Sequence, residues 1–468
     1  MSFSLVLLWT DILIYCLLTV IVIAVVYIRK QVHLRAPWAL VFKRKRGVIS
    51  VMILLCYVAI GLLDSVHFRQ ALPNESGIET QQHYSTEVIT LLDLAVMPLK
   101  QQVEKTYSAP FATELFVKEF KQTQVGQVDY DYAPLLYGGA HLNGQDKAQD
   151  IQQTVLTSSF KAVLFSLLLF SFMVFLLAKH HGIAYLQQYK AILVGQADYP
   201  YRTLFIILLL LALLVANLAA LSVNYHVFGT DKVGQDVLYH ALKSVRTGLV
   251  IGTLTTLVML PFALFMGIAA GYFRGWIDDV IQYIYTTLNS IPGVLLIAAA
   301  VLMLQVYMNN HAENFATIAE RADMRLLFLC LILGLTSWTG LCRILRGETL
   351  KLREADYVLA ARSLGAGSLT ILHRHILPNL MHIVMIAIVL DFSGLVLAEA
   401  VLSYVGVGVD PSMISWGNMI NGARLEMARD PVVWWSLTAA FLSMFTLVLA
   451  ANLFSDVVQN AFDPRTTS

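Results

Sequence analysis

Two carboxylates, Asp391 and Glu399, stand inside the apolar stretch Ile383–Val405. An ionised side chain in hydrocarbon is costly, so a carboxylate kept there has a partner or a wet path beside it. Eight residues separate them, about two helical turns, which puts them on roughly one side of a helix. They could face an aqueous path and meet a cation, and a hydrogen bond to a neighbouring helix or a partner subunit is the competing reading. Asp11, near one end of the first apolar stretch, reads as snorkelling to water. No Gly-x-x-x-x-Gly-Lys-Ser/Thr loop occurs, so the chain has no ordinary means of hydrolysing ATP itself. His67, His83 and His141 lie among scattered carboxylates without metal or triad spacing, which gives a membrane enzyme little support. Cys16, Cys56, Cys330 and Cys342 also lack metal-ligand spacing and read as buried apolar fillers. No metal site is expected.

Residues 353–379 form a basic, helix-prone island between two apolar stretches. Tyr357, Val358, Ala361 and Leu364 fall on one helical face, Gly365 and Gly367 interrupt it, and a second short helix from Ser368 to about Ile376 would be capped by Ser368 and stopped by Pro378. Such a helix–Gly–helix element can rest on lipid or present its small and apolar residues to a partner.

The elements that must position these residues are membrane helices. The 468 residues are 57% hydrophobic and 13% charged, with a mean hydropathy of +0.67, far from a soluble composition. Nine spans are expected, near Leu5–Ile28, Gly47–Leu63, Ala162–Ala178, Thr203–Val223, Leu249–Ala270, Val280–Met303, Leu326–Leu345, Ile383–Val405 and Val433–Leu453. Arg29, Lys30, Arg35, Lys43, Arg44, Lys45 and Arg46, with no acid among them, place the first connection in the cytoplasm and the N-terminus outside. Alternation then puts 64–160, 224–248, 304–325 and 406–432 outside, and 179–202, 271–279, 346–382 and the C-terminus inside. The 64–160 segment agrees, with 12 Asp/Glu against 6 Lys/Arg. The first span lacks a basic leader and is too long for a cleaved signal. The net charge of +1 implies no nucleic acid. Turn signals stand at Asn74–Gly77 and Tyr137–Ala140. A helix-like stretch covers Glu87–Tyr107, with Leu91, Leu92, Leu94, Ala95 and Leu99 as its buried face.

Several stretches carry a family likeness. Ala360-Ala361, Gly365 and Leu377-Pro378 are spaced as in the EAA loop of ABC importer permeases, and Arg374-His375-Ile376-Leu377-Pro378-Asn379 resembles the dipeptide/oligopeptide branch. Gly229-Thr230-Asp231, Gly234 and Asp236 resemble the Gly-Thr-Asp-x-x-Gly-x-Asp element before core helix two, with Asp231 and Asp236 as caps. Gly271–Asp278, Leu402–Gly408 with Ser415-Trp416-Gly417, and Asp463-Pro464-Arg465 add to the match, and Trp276 and Trp416 read as interfacial anchors. The chain departs from the pattern at Leu359, where the motif's Glu would stand, and at Gln235, commonly Arg.

The resemblance covers about residues 40–64 and 226–466 and implies an all-α polytopic membrane protein: six core helices, about three extra spans and an external α or α+β segment. Residues 1–46 would be an extra helix and basic linker, 47–63 the first core helix, 64–160 an external insertion, 161–225 an inserted hairpin, and 226–468 the core with its coupling loop at 346–382. It further implies a non-enzymatic permease subunit in the bacterial inner membrane, with a second permease, two ATPases that bind ATP and Mg, an external binding protein and lipid as partners. Tyr357, Ala360, Ala361, Arg362, Gly365, His375, Leu377 and Pro378 would meet the ATPase. No cofactor is expected on this chain. Peptides lead as cargo, with nickel chelates, opines, antimicrobial peptides or an ion-driven carrier as alternatives. The insertion is expected to modulate transport rather than perform it.

Overall fold

A computed structural model describes residues 3–30, 32–71, 84–122, 128–142, 146–195, 197–311, 313 and 317–462. The turn expected at Asn74–Gly77, His83, and Asp463-Pro464-Arg465 lie outside the described residues. In chain order the elements are β1 (Phe3–Val6), α1 (Trp9–Lys30), α2 (Val32–Lys43), α3 (Lys45–Asp64), β2 (His67–Ala71), β3 (Tyr84–Thr90), α4 (Leu91–Ala95), α5 (Met97–Gln101), β4 (Glu114–Gln122) and β5 (Val128–Pro134). There follow α6 (Lys147–His181), α7 (Tyr185–Val194), α8 (Tyr201–Leu221), α9 (Val237–Phe273), α10 (Trp276–Ser290), α11 (Gly293–Asn310), α12 (Ile318–Arg353), α13 (Asp356–Ser363), α14 (Ser368–Ile371), α15 (Leu377–Tyr404), α16 (Trp416–Glu426) and α17 (Trp435–Phe462).

Among the described residues nine helices are long and apolar enough to cross a membrane. Eight coincide with expected spans, and the sixth differs. Instead of one helix over Val280–Met303, α10 stops at Ser290 and α11 begins at Gly293. Pro292 has no N–H to donate and forces Ile291 into extended backbone (φ −90°, ψ 130°), so the helix breaks there. α11 alone is long enough to span, while α10, with Asp278 and Asp279 in its first turn, takes the end of the expected 271–279 turn and the first part of the expected span.

The longest helices, α9 and α12, pack along their length through glycine. A Cβ on Gly267 would meet Leu345 at 2.8 Å, one on Gly271 would meet Thr349 at 2.5 Å, and one on Gly334 would meet Val258 at 2.6 Å. Without a hydrophobic gain to drive association inside lipid, this backbone approach supplies the contact. At 37 and 36 residues both helices exceed the roughly 20 a bilayer needs, so they project beyond it.

The strands collect at one end of the bundle. β1, β2 and β3 form an antiparallel sheet in that order, with Val6 opposite His67 and His67 opposite Thr90. The sequence reads as helix from Glu87, but β-branched Val88, Ile89 and Thr90 pair with β2, and helix begins only at Leu91, where Thr90 and Asp93 close a capping box. Val96 and Pro98 divide that helix into α4 and α5. Leu92 and Leu99 are buried, whereas Leu91 and Leu94 are exposed. The opposite, basic end holds Arg29, Lys30 and 43–46.

Asp11 does not snorkel. It is fully buried, 2.7 Å from Arg246 of α9 and 2.8 Å from Nδ1 of His67. Arg246 also lies 3.7 Å from Asp323 of α12, whose carboxylate accepts hydrogen bonds from the backbone N–H and the hydroxyl of Thr10. The extra helix is thus tied to the two central helices by charge, a pairing that only the folded chain reveals. Cys16 is likewise exposed on α1 rather than buried. Replacing Arg246 by Met leaves Asp11 and Asp323 buried against each other. That substitution is expected to cost about 3–5 kcal/mol, whereas Arg246→Met with Asp11→Asn and Asp323→Asn recovers part of it. Thermal unfolding of the purified protein measures both.

Candidate functional site

The element between α12 and α15 is built at the basic end. α12 ends at Arg353, and α13 starts from Ala355 in extended backbone. Val358 points inward, into a cluster with Ile371, Ile376, Leu345, Trp338 and Tyr285. Gly365 has φ +82° with open space where a Cβ would lie, so it is glycine for its backbone and not for room. Gly367 caps α14, one residue before the expected Ser368.

Pro378 does not stop the second helix. Residues Leu372–Ile376 form a π-helical turn between α14 and α15, and the helical path runs on from Ser368 to Tyr404. A wider turn relieves the clash and the missing donor that proline brings to a helix interior. Asn379 closes the turn, its side-chain amide donating to the His375 carbonyl (2.6 Å) and to the Tyr357 hydroxyl (3.1 Å). Tyr357, Ala360, Arg362, Gly365 and Pro378 are exposed, and Ala361, His375 and Leu377 are half-buried. Leu364 at 88% and Leu369 at 81% exposure stand out from the surface on either side of the Gly365 turn. The expected face therefore splits, Val358 holding the helix down and Leu364 facing away. Glu354, a little more than one turn before the substituted Leu359, pairs with Arg274 at 2.8 Å. Beneath it, Arg346 of α12 grips Asp278 of α10 with two bonds of 2.6 and 2.7 Å.

At the strand end, Gly229–Asp236 forms a closed turn. Asp231 Oδ1 accepts from the N–H groups of Val233 and Gln235, both 2.9 Å, and Asp236 caps α9 by accepting from Leu238 and Tyr239. Thr230 Oγ1 accepts from Ser108 N (2.7 Å) and donates to Thr106 O (2.8 Å), while Trp435 Nε1 donates to Thr230 O (2.9 Å). Gly229 and Gly234 sit at φ +68° and +81°, and a Cβ on either would collide with the carbonyls of Ser108 and Glu104. The motif is a socket for residues 104–108 of the insertion.

Glu104 is the plug. Its carboxylate accepts from the N–H groups of Leu136, Tyr137 and Gly138 at 2.8, 2.8 and 3.1 Å and lies 3.4 Å from His226 Nε2, whose Nδ1 is 2.7 Å from Asp236. Burial opposes charge on Glu104, but His226 and the three amides hold its pKa down at about 2. Burial likewise opposes charge on His226, and Asp236 with Glu104 raises it to about 9. Sequence reading passes over Glu104 and His226, and no local spacing marks them.

The two carboxylates of α15 are separated in environment. Glu399 is buried, accepting from the hydroxyls of Ser403 (2.7 Å) and Ser415 (3.1 Å). A Cβ on Gly417 would meet its Oε1 at 2.6 Å, which accounts for the glycine of the Ser415-Trp416-Gly417 stretch. Asp391 is half-buried, with no hydrogen-bond or ion-pair partner among the described residues. Trp276 is exposed as an interfacial anchor would be, but Trp416 is a core residue, its Nε1 donating to Ala241 O (3.2 Å) and its ring lying against Gly248.

Nine long apolar helices among the described residues, two of them packed on each other through glycine, with an exposed helix–turn–helix at one end, define a polytopic membrane protein. Residues 263–468 match the family described as binding-protein-dependent transport system inner membrane component. The chain is 33% identical over 245 residues to the glutathione transport system permease protein GsiD of Pectobacterium atrosepticum, covering 52% of this chain and 74% of that one. It is 31% identical to the oligopeptide transport system permease protein OppC of Mycobacterium tuberculosis (52% and 77% covered) and to the dipeptide transport system permease protein DppC of Bacillus subtilis (51% and 69%). The chain belongs to this family. It is a multi-pass inner-membrane permease subunit of a binding-protein-dependent importer.

The socket should respond to pH. His226, raised from 6.5, contributes stability that is full below about pH 6.5 and lost as pH rises through about 9, whereas Glu104, lowered from 4.5, contributes above about 4.5 and loses it as pH falls towards 2. Thermal stability should therefore fall off on the alkaline side, and His226→Gln should flatten that limb. Gly234→Ala should cost on the order of 2–4 kcal/mol in unfolding measurements, from a strained φ and the clash with Glu104.

Proposed function

We propose that this subunit carries peptides and that the α13–α14 element couples it to ATP hydrolysis in separate subunits. The observation that carries the reading is the pair Leu364 and Leu369, held out on a base sealed by Val358, Ile371 and Ile376. Two leucines standing free beside a glycine turn are suited to an apolar pocket on a partner, while the cluster beneath joins the element to α9, α10, α12 and α15. A push on α13 would thereby reach four helices as one body. The partners are two ATPases, which bind ATP and Mg in the cytoplasm, a second permease of similar fold, and an external binding protein.

The basic end faces the cytoplasm on this reading, with the C-terminus inside and the N-terminus outside. β1 pairs with β2, so the N-terminus shares the insertion's side. Peptide cargo is supported by the relatives named for dipeptides, oligopeptides and glutathione. Asp391, the free carboxylate of α15, is the better candidate to meet a peptide's ammonium group, and Glu399 holds α15 to the turn before α16.

Leu364→Asp with Leu369→Asp is expected to abolish ATPase co-purification and lower peptide uptake at least tenfold, with membrane insertion unchanged. Normal uptake in that variant would remove the coupling role. Asp391→Asn is expected to lower uptake of peptides with a free amino terminus more than of N-acetylated ones, measured side by side in proteoliposomes.

A further inference from the structure

We propose that the basic end holds a specific anionic phospholipid, its phosphodiester on Arg44, Lys45 and Arg46 and an acyl chain in the groove between α3 and α8. The three cations line a recess of about 390 Å³ against α17, in which Asp456 is the only acid among the described residues. None of Arg44, Lys45 and Arg46 has an ion pair among the described residues, and Arg29, Lys30, Arg35 and Lys43 are unpaired in the same way. Seven cations within 18 residues of chain repel one another unless an external anion neutralises them.

A second observation identifies the anion as a lipid. Phe42 and Val48, two positions to either side of the triplet, line a groove of about 370 Å³ with Met52, Leu55, Tyr201 and Leu204. The groove is walled by carbon and starts beside the cations, then runs along α3 into its span. Tyr199 and Tyr201 are among the residues that line it, and amphipathic rings favour the headgroup level. A free phosphate would satisfy the recess and leave the groove without purpose. A phospholipid fills both, as basic pockets between membrane helices do for anionic headgroups.

The full chain is purified from nanodiscs of equal phosphatidylcholine and phosphatidylglycerol, and the lipid that remains bound in mild detergent is counted by native mass spectrometry. Phosphatidylglycerol is expected to be retained at least tenfold over phosphatidylcholine. Arg44→Gln with Lys45→Gln and Arg46→Gln should return the ratio to that of the disc, and Arg44→Lys with Arg46→Lys should keep it. Met52→Trp leaves the charges in place and fills the groove, so it should also lose the retained lipid. It decides the matter if the triple variant fails to fold. Undiminished enrichment in the triple variant or in Met52→Trp overturns the proposal. So does displacement of the lipid by equimolar inorganic phosphate, which would make the recess a plain anion site.

Discussion

A charge carried into a membrane has to bring its partner with it, and the arrangement around Arg246 follows from that constraint. The guanidinium sits on α9 at 7% exposure, reached by Asp11 from α1 and facing Asp323 from α12. Removing any one of these groups leaves the others desolvated without compensation, which is far costlier than the pair is worth as a net attraction. The extra N-terminal helix therefore has one seat on the core. β1, which precedes α1, is placed to pair with β2, and His67 on β2 closes the contact by reaching Asp11. A second set of charges repeats the device a turn away: Lys243 of α9 lies 2.7 Å from Asp64 and 2.9 Å from Asp93, joining the end of α3 to α4.

The same logic bears on the insertion. By sequence it is an addition to a six-helix permease, and by packing it is built into the helical core at the strand end. Tyr107, 4% exposed, lies in one apolar cluster with Val237, Val396, Trp416 and Trp435, and its hydroxyl donates to Glu426 at 3.2 Å. Glu104 plugs the turn before α9. The turn Gly229–Asp236 thus acts in this chain as the receptor for residues 104–108, and both lie outside the stretch 263–468 that the family description matches. The strand-end elements and the core are expected to unfold together, because the contacts that join them include an apolar cluster and buried hydrogen bonds to backbone groups.

The spans were legible because twenty apolar residues in a row have few other fates. The sixth was misplaced because its apolar run continues through Ile291-Pro292, and a running average of hydropathy ignores the one residue that cannot donate. Pro378 misled in the opposite direction: read as a stop, it is absorbed by a π turn that no composition announces. The helix–Gly–helix element was visible from Gly365 and Gly367. Which of its residues would face outward was not, since Val358 and Leu364 share a helical face until the helix ends between them. Charged partners were the least legible of all. Asp11 and Arg246 lie 235 positions apart, and Glu104 and His226 lie 122 apart, so nothing local relates them.

The two ends of the molecule handle charge in contrasting ways, and the difference bears on how it could move. At the strand end the charges around Arg246 and Glu104 are buried and paired, so displacing α1, α9 or the insertion relative to each other would expose several at once. At the basic end the pairs near the helix–turn–helix element among the described residues are Arg346–Asp278 and the more water-facing Arg274–Glu354 and Lys351–Glu348, and the polybasic stretch is unpaired. Loose, water-facing charge can change neighbours at little cost, because exposed pairs contribute little to stability. Rearrangement at the basic end therefore costs less electrostatically than rearrangement at the strand end.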